Sequence, residues 1–130
     1  MSYFKKLNAS LGGTYIIKIR ESVKNGDYST AILLQMGIID ALLRIEIRSQ
    51  VKQMASKYYD NEDLLLGTLI DYFELLQCKP TLVPHLRKYN NLRRKILHHP
   101  NYYKNFDHIR EDIKGFYNLG TRVIDEILNI

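Results

Sequence analysis

The stretch from Ala31 to Ile47, AILLQMGIIDALLRIEI, decides the fold of this chain. Placed on a helix it is apolar on almost every side, and its charged residues are Asp40, Arg44 and Glu46. Such a helix lies at the centre of a bundle or faces both a core and a partner subunit. With about four other helices to cover it, we predict both, and hence a dimer. The run is shorter than a membrane span and its charges break it, so no membrane insertion is expected.

Length and composition predict one globular domain. At 130 residues and 15.3 kDa the chain can form one core but not two. Its 45% hydrophobic and 25% charged content is typical of folded proteins, and its charge of +5 suits an anionic partner without requiring one. The lone Cys78 excludes an internal disulfide, and the first ten residues lack the apolar run of a secretory signal. We expect one cytoplasmic domain over residues 1–130, with residues 1–13 as a short arm.

The rest of the chain is predicted to be helical, because no stretch alternates as a strand does. The predicted helices run from about Thr14 to Lys24, from a capping group at Asp27 to Thr30 as far as Tyr59, from Leu64 to Gln77, within Leu82 to Tyr103 up to Pro100, and from about Asp107 onward. Short links between helices imply antiparallel neighbours. The predicted fold is an all-α, up-and-down bundle of four to five helices.

Caps and packing faces follow from the same patterns. The candidate N-caps are Thr14, Asp27 to Thr30, Asn61 or Asp63, and Thr81, with Pro84 in the first turn of the helix after Thr81. The third helix is expected to bury Leu65, Ile70, Phe73, Leu75 and Leu76. Gly120 lies in the apolar row of the last helix, where it should let another helix approach closely. Asp40 and Arg44 are spaced for an ion pair, although a solvated pair fits equally well.

The basic segment LVPHLRKYNNLRRKILHHPNYY, residues 82–103, carries the candidate site. At about 100° per residue, Arg93 falls in the middle of the apolar side, whereas Arg94 and His98 fall on the polar side. An arginine there is costly unless its charge is paired or used, although its stem can also pack while its head reaches water. His98 lies in the last turn before Pro100, where the helix dipole favours imidazolium and proton transfer near neutral pH.

The two candidate residues diverge on a straight helix. Arg93 and His98 are five positions apart, which is about 140° around the axis. They can meet only if the helix unwinds at its end or if a second copy of the helix crosses it. A symmetric dimer with two such helices at its axis meets the second condition.

The spacing Arg93-Arg94-Lys95-Ile96-Leu97-His98 resembles the motif of HEPN domains (higher eukaryotes and prokaryotes nucleotide-binding). In that family an arginine is followed, after four to six residues, by a histidine at the end of a helix. LLLGTLIDYFELL before the basic segment and IIDALLRIEI in the long helix also look similar, so the resemblance covers roughly Ser29 to Ile130. Arg94 departs from the usual Asn, Asp or His, and Pro100 stands where toxin members often carry Tyr.

The resemblance implies a dimer with the two motifs facing across the axis, and a ribonuclease that needs no metal or other cofactor. The histidine, matching His98, would act on the ribose 2′-OH or the leaving oxygen, and the arginine, matching Arg93, would hold the phosphate. Attack by the 2′-OH would leave a 2′,3′-cyclic phosphate. The expected supporting residues are Arg94, His99 and Asn90, and the expected RNA contacts are Arg87, Lys95, Tyr102 and Lys104. An antitoxin or nucleotidyltransferase is an implied further partner, in a toxin, defence or stress system.

Two function hypotheses stay open. The first is an RNA-cleaving or RNA-binding protein, and the second is a non-catalytic helical dimer that binds a nucleotide or a protein partner through the same groove. A metal site built from His85, His98, His99 and His108 is disfavoured, because no two of them are spaced i,i+4 and the motif has no carboxylate. Arg94 and His99 also satisfy the motif spacing, but Arg94 lies on the polar side and Pro100 bends His99 away.

Overall fold

All regular structure in the described part of the chain is helical. The computed structural model describes residues 13–51, 64–98 and 106–129. These ranges contain α1 (Gly13–Lys24), α2 (Tyr28–Val51), α3 (Leu66–Leu75), α4 (Val83–His98) and α5 (Phe106–Leu128), with a 3-10 turn at Pro80–Leu82. The helices form an all-α bundle, which confirms the predicted fold class. Within these ranges no helix has both the length and the apolarity that a membrane crossing requires.

Helix α2 lies at the centre of the bundle, where it packs against α1, α3 and α5. Its fully buried side chains include Ile39, Leu42, Leu43 and Ile47. Its side chains are not all covered, since Leu33 is 63% exposed. The central position is therefore confirmed, and a partner subunit on the exposed side remains a prediction.

The start of α2 and its Asp40–Arg44 pair follow the sequence prediction. The Asp27 carboxylate accepts hydrogen bonds from the hydroxyl of Thr30 and, at 3.1 Å, from its backbone N–H. These bonds, the hydroxyl bond first, hold the pKa of Asp27 below its ordinary value. Arg44 Nε lies 2.9 Å from Asp40 Oδ2, so the predicted ion pair forms, and Arg44 Nη2 donates to the carbonyl of Leu64 before α3. The predicted extension to Tyr59 lies outside the described residues.

Two predicted caps are wrong. Helix α1 begins at Gly13, so Thr14 lies inside the helix. Helix α4 begins at Val83, and Thr81 belongs to the preceding 3-10 turn, which places Leu82 at the N-cap position. Pro84 lies in the first turn of α4, as predicted, where its missing N–H costs nothing.

Helix α3 is shorter than predicted and buries only part of the predicted face: the burial of Ile70 and Phe73 is confirmed, and Leu76 packs partly buried against the core. It begins at Leu66 without a side-chain cap, while the predicted caps Asn61 and Asp63 lie outside the described residues. Its buried side chains are Leu69, Ile70 and Phe73. Leu65 and Leu75 are 72% and 77% exposed, so their predicted burial is wrong. Leu66, Leu69, Ile70 and Phe73 are spaced i,i+3,i+4,i+7, so helical periodicity does identify the buried face, and Leu65 and Leu75 lie outside it.

The C-terminus of α3 is closed by a left-handed residue. Gln77 has φ 52°, its N–H donates to the carbonyl of Glu74, and the N–H of Cys78 donates to the carbonyl of Phe73. This is the Schellman arrangement, which usually employs glycine at the left-handed position. A glutamine there costs about 1 kcal/mol and gives no sequence signal for the end of the helix. For this reason α3 ends two residues before the predicted boundary.

Helices α2, α4 and α5 meet closely at Gly120. A Cβ atom at this position would overlap the side-chain oxygen of Gln35 and would lie 3.3 Å from Cε2 of Tyr89. The side-chain amide of Gln35 also donates to the carbonyl of Tyr117 at 3.1 Å and to the hydroxyl of Thr121 at 3.0 Å. The predicted close approach at Gly120 is confirmed.

Helix α4 runs antiparallel to both of its neighbours. From its N-terminus onward, α4 contacts α5 through the pairs His85 with Glu126, Tyr89 with Phe116, and Lys95 with Asp112. Toward α3 it places Arg87 beside Asp71 and Glu74, and then Asn90 beside Gly67. In both series the residue numbers rise along α4 and fall along the neighbour, as an up-and-down arrangement requires.

Candidate functional site

The buried apolar side chains of α4 fix its rotation relative to the core. Leu86 and Tyr89 are fully buried, and the Tyr89 ring stacks on Phe116 of α5 with 4.6 Å between ring centroids. Burying a side chain such as Leu86 stabilises the fold by about 1.5–3 kcal/mol. This anchoring places Arg93 one turn after Tyr89, at the edge of the core, where it is half-buried.

Arg93 is held by an amide. Its Nε and Nη2 atoms lie 3.3 Å and 3.2 Å from Oδ1 of Asn90, one turn earlier on the same helix. The other amide atom of Asn90, Nδ2, would lie 3.5 Å from a Cβ atom placed on Gly67 of α3. The guanidinium is therefore tethered on the α3 side of α4.

Among the described residues Arg93 forms no ion pair, unlike several other cations of the bundle. The cations bound to carboxylates include Arg44 with Asp40, Arg87 with Asp71 and Glu74, Lys95 with Asp112, and Arg122 with Glu126. Because Asn90 is neutral, its hydrogen bonds orient the guanidinium without cancelling its charge.

The positive charge of Arg93 acts on a neighbouring buried side chain, that of Tyr89. The Tyr89 hydroxyl is buried and has no hydrogen-bond partner among the residues that the structure describes. Burial raises the pKa of Tyr89 well above its ordinary value, while the positive charge of Arg93 acts in the opposite direction. The tethered cation thus lies close enough to the buried ring to act on it electrostatically.

The other predicted catalytic residue, His98, is the last residue of α4. The helix stays α-helical up to this residue, so the unwinding that could bring Arg93 and His98 together within one chain does not occur before it. The side chain of His98 lies outside the described part of the molecule. Arg94 is exposed and lies one helical turn before His98, on the same side of the helix.

The remaining predicted site residues divide into two groups. Arg87 Nη2 lies 2.7 Å from Asp71 and 3.1 Å from Glu74, and these two carboxylates, with the hydrogen bond to Asp71 first, raise the pKa of Arg87. Lys95 lies 3.4 Å from Asp112. Each of these cations would have to share its charge between a carboxylate and an RNA phosphate. His99, Tyr102 and Lys104 lie outside the described residues.

A second polar cluster joins the N-terminus of α4 to the C-terminal turns of α5. His85 Nδ1 lies 3.4 Å from the carboxylate of Glu126, Arg122 donates to the same carboxylate at 3.2 Å, and Lys79 donates to the Glu126 carbonyl at 3.1 Å. Burial acts to raise the pKa of Glu126, but the bonds and charges of Arg122 and His85 outweigh it and lower this pKa. No three His, Cys, Asp or Glu side chains of the described ranges converge as metal ligands would.

The sequence prediction did not explain what Asn90 and Gly67 do. Asn90 and Arg93 are spaced i,i+3, which places two side chains on neighbouring positions of a helix face. That spacing was the available signal for the tether. The contact with Gly67 depends on how α3 packs on α4, which the sequence pattern alone does not specify.

Comparison with known proteins adds no relative. No protein-family model, no curated protein and no solved structure matches the chain. A functional assignment therefore depends on the residues and geometry described above.

Proposed function

We propose that this protein is a metal-independent endoribonuclease, or an RNA-binding protein, of the HEPN type, acting in a defence, toxin or stress system. The observation that carries the proposal is Arg93, a half-buried guanidinium held by a neutral amide and five positions before His98. A site for an RNA phosphate needs a cation whose charge is not already offset by a carboxylate, and among the described residues Arg93 meets this need better than Arg87 or Lys95.

The proposed chemistry divides between the two residues. Arg93 binds the scissile phosphate through the N–H groups that Asn90 leaves free, and it stabilises the charge that develops there. His98 moves a proton at the ribose 2′-OH or at the leaving oxygen. The 2′-oxygen attacks phosphorus, the bond to the 5′-oxygen breaks, and a 2′,3′-cyclic phosphate and a 5′-hydroxyl result.

The proposal includes a dimer in which Arg93 of one protomer works with His98 of its partner. Positions 93 and 98 lie about 140° apart around a helix that is regular between them, so one chain would not present both to one phosphate. A two-fold axis beside α4 would bring the two motifs together.

The test is cleavage of end-labelled RNA by the purified protein in EDTA. Products that end in a 2′,3′-cyclic phosphate are expected. Arg93→Ala and His98→Ala should each abolish these products, while each variant should still have the molecular mass of a dimer in solution. Arg94→Ala and His99→Ala are the matched controls, since they keep the same spacing in the other register. Loss of cleavage in the controls alone would show that Arg94 and His99 form the site.

A complementation test addresses the shared site. If Arg93 and His98 act across the axis, a heterodimer of Arg93→Ala and His98→Ala retains one intact site. Random mixing of the two inactive variants should restore about a quarter of wild-type cleavage, because half of the dimers are mixed and each has one intact site. No recovery after exchange of subunits would contradict the shared site.

The second candidate is a non-catalytic dimer that binds a nucleotide or a protein partner through the same groove. The observation in its favour is that Arg87 and Lys95 already bind carboxylates, which reduces the positive surface available to a long RNA. Absence of cyclic-phosphate products across structured and unstructured RNAs, together with saturable binding of a mononucleotide, would favour this candidate.

A further inference from the structure

We infer that Asn90 is a positioning residue, which fixes the guanidinium of Arg93 so that one defined edge of it faces the phosphate. The inference rests on the proposed function, because it assigns the purpose of the tether to phosphate binding. Asn90 was expected only as a supporting residue, and the inference gives it a defined role outside the Arg-to-His spacing of the motif.

The geometry of the tether determines which edge is free. Asn90 Oδ1 accepts hydrogen bonds from Nε and Nη2, which form one side of the guanidinium. A guanidinium has five N–H groups, so about three remain, on Nη1 and on the far side of Nη2. Two of them, one on Nη1 and one on Nη2, form the end-on edge, which can bind two oxygens of a phosphate at once. The amide therefore occupies the edge formed by Nε and Nη2 and leaves the end-on edge for a phosphate.

The surroundings restrict Asn90 in turn. Its side chain is partly buried between α3 and α4, and Gly67 leaves room for its Nδ2 atom. A restrained amide lowers the conformational entropy that Arg93 must lose when it binds a ligand. Asn91, the next residue, is exposed and has no hydrogen bond to Arg93, so it serves as the matched control.

A double-mutant cycle tests the functional assignment. Asn90→Ala should lower kcat/KM for the labelled RNA about tenfold, because a loosely held guanidinium spends little time in the productive orientation. The same substitution should change the residual rate of Arg93→Lys by less than about twofold, since the tether then has no guanidinium to hold. Asn91→Ala should leave the wild-type rate unchanged. Equal losses on the wild-type and Arg93→Lys backgrounds would overturn the inference, since Asn90 would then act independently of Arg93.

A measurement without RNA separates the tether from the proposed function. In 1H–15N spectra the Nε–H signal of Arg93, assigned by its loss in Arg93→Lys, should exchange slowly with water in the wild type. It should exchange fast in Asn90→Ala and remain slow in Asn91→Ala. Fast exchange in the wild type would overturn the tether itself. Slow exchange in a protein that neither cleaves nor binds RNA would retain the tether and overturn both the proposed function and the assignment of the tether to phosphate.

Discussion

Arg87 and Arg93, in the two halves of α4, have different kinds of hydrogen-bond partner. In the N-terminal half, Arg87 lies between the carboxylates of Asp71 and Glu74 and binds α4 to α3. In the C-terminal half, Arg93 lies closer to the core and is held only by the amide of Asn90 among the described residues. Both side chains are oriented by their partners. Among the described residues, the charge of Arg87 is offset by carboxylates, whereas that of Arg93 is not.

This difference shows why a count of basic residues is a poor guide to a binding site. The partners of Arg87 already satisfy its charge, so a phosphate would have to displace them or accept weaker attraction. A neutral hydrogen-bond acceptor gives an arginine order without neutralising it. The state of each cation in the fold, and not the net charge of +5, indicates where an anion can bind.

The largest expected effect comes from removing each arginine in turn. Arg93→Ala should lower RNA cleavage at least about a hundredfold, since it deletes a group that stabilises developing charge. Arg87→Ala should leave cleavage within about twofold and cost at most about 1 kcal/mol of stability, as for an exposed ion pair. Cleavage rates and urea unfolding of both variants provide the measurement. Equal loss of cleavage in the two variants would show that the halves of α4 do not differ in function.

The second prediction concerns Gly120, which packs against the ring of Tyr89, where the two halves of α4 meet. Gly120→Ala should destabilise the fold by about 2 kcal/mol, because its methyl group would overlap Gln35 and crowd Tyr89. Gly115 lies on the same helix with open space around it, so Gly115→Ala should stabilise the fold by about 0.5–1 kcal/mol through helix propensity. Thermal unfolding of both variants tests this. A neutral Gly120→Ala would mean that α2, α4 and α5 are less tightly packed than described.

A third substitution makes Arg93 resemble Arg87. Asn90→Asp places a carboxylate of nearly the same shape against the guanidinium, so the arginine becomes ion-paired. RNA cleavage should fall about tenfold while the melting temperature stays the same or rises. Asn91→Asp adds the same negative charge one residue away on the exposed side and should have a smaller effect. If both variants lose activity equally, general repulsion of RNA is the cause and the tether is not.

The smallest effect is expected at Glu46, an ionisable residue that is 3% exposed. Like Arg93, it is hydrogen-bonded to a side-chain amide, in this case that of Gln50. Burial raises the pKa of Glu46 above 4.5, against a weaker opposing effect of Gln50. The fold therefore favours the protonated form, and this contribution is lost as the pH rises through the folded-state pKa. Glu46→Gln should raise the melting temperature by a few degrees at pH 7 and leave it unchanged below about pH 4.5. A lower melting temperature of Glu46→Gln at pH 7 would contradict this prediction.

Much of the fold follows from local patterns in the sequence. The central position of α2, the Asp27 cap, the Asp40–Arg44 pair and the close approach at Gly120 each depend on residue types at helical spacing. The errors at α3 have another origin. Its buried residues are spaced i,i+3,i+4,i+7, a pattern that the prediction did not follow when it added Leu65 and Leu75. Its end is set by Gln77 in a backbone conformation that favours glycine.

The candidate site was predictable in composition but not in its contacts. The helical projection placed Arg93 at the core and Arg94 outside it, which agrees with their burial. It could not show that Arg87 meets Asp71 and Glu74, because that contact depends on the register between α3 and α4. The partnership of Asn90 with Arg93 needed only the i,i+3 spacing, but the spacing does not distinguish an oriented amide from a solvated one.

The hydrogen bonds from Gln35 to the region around Thr121 also have a consequence for the order of folding. They join α2 to α5 across more than 80 residues of sequence. Contacts between residues so distant in the chain form late, because a long loop must close before they are made. During synthesis α4 therefore leaves the ribosome before the helix that covers Tyr89 is available. The candidate site is complete only after α5 has been made and docked, so a nascent chain that ends before α5 should not yet show the proposed RNA cleavage.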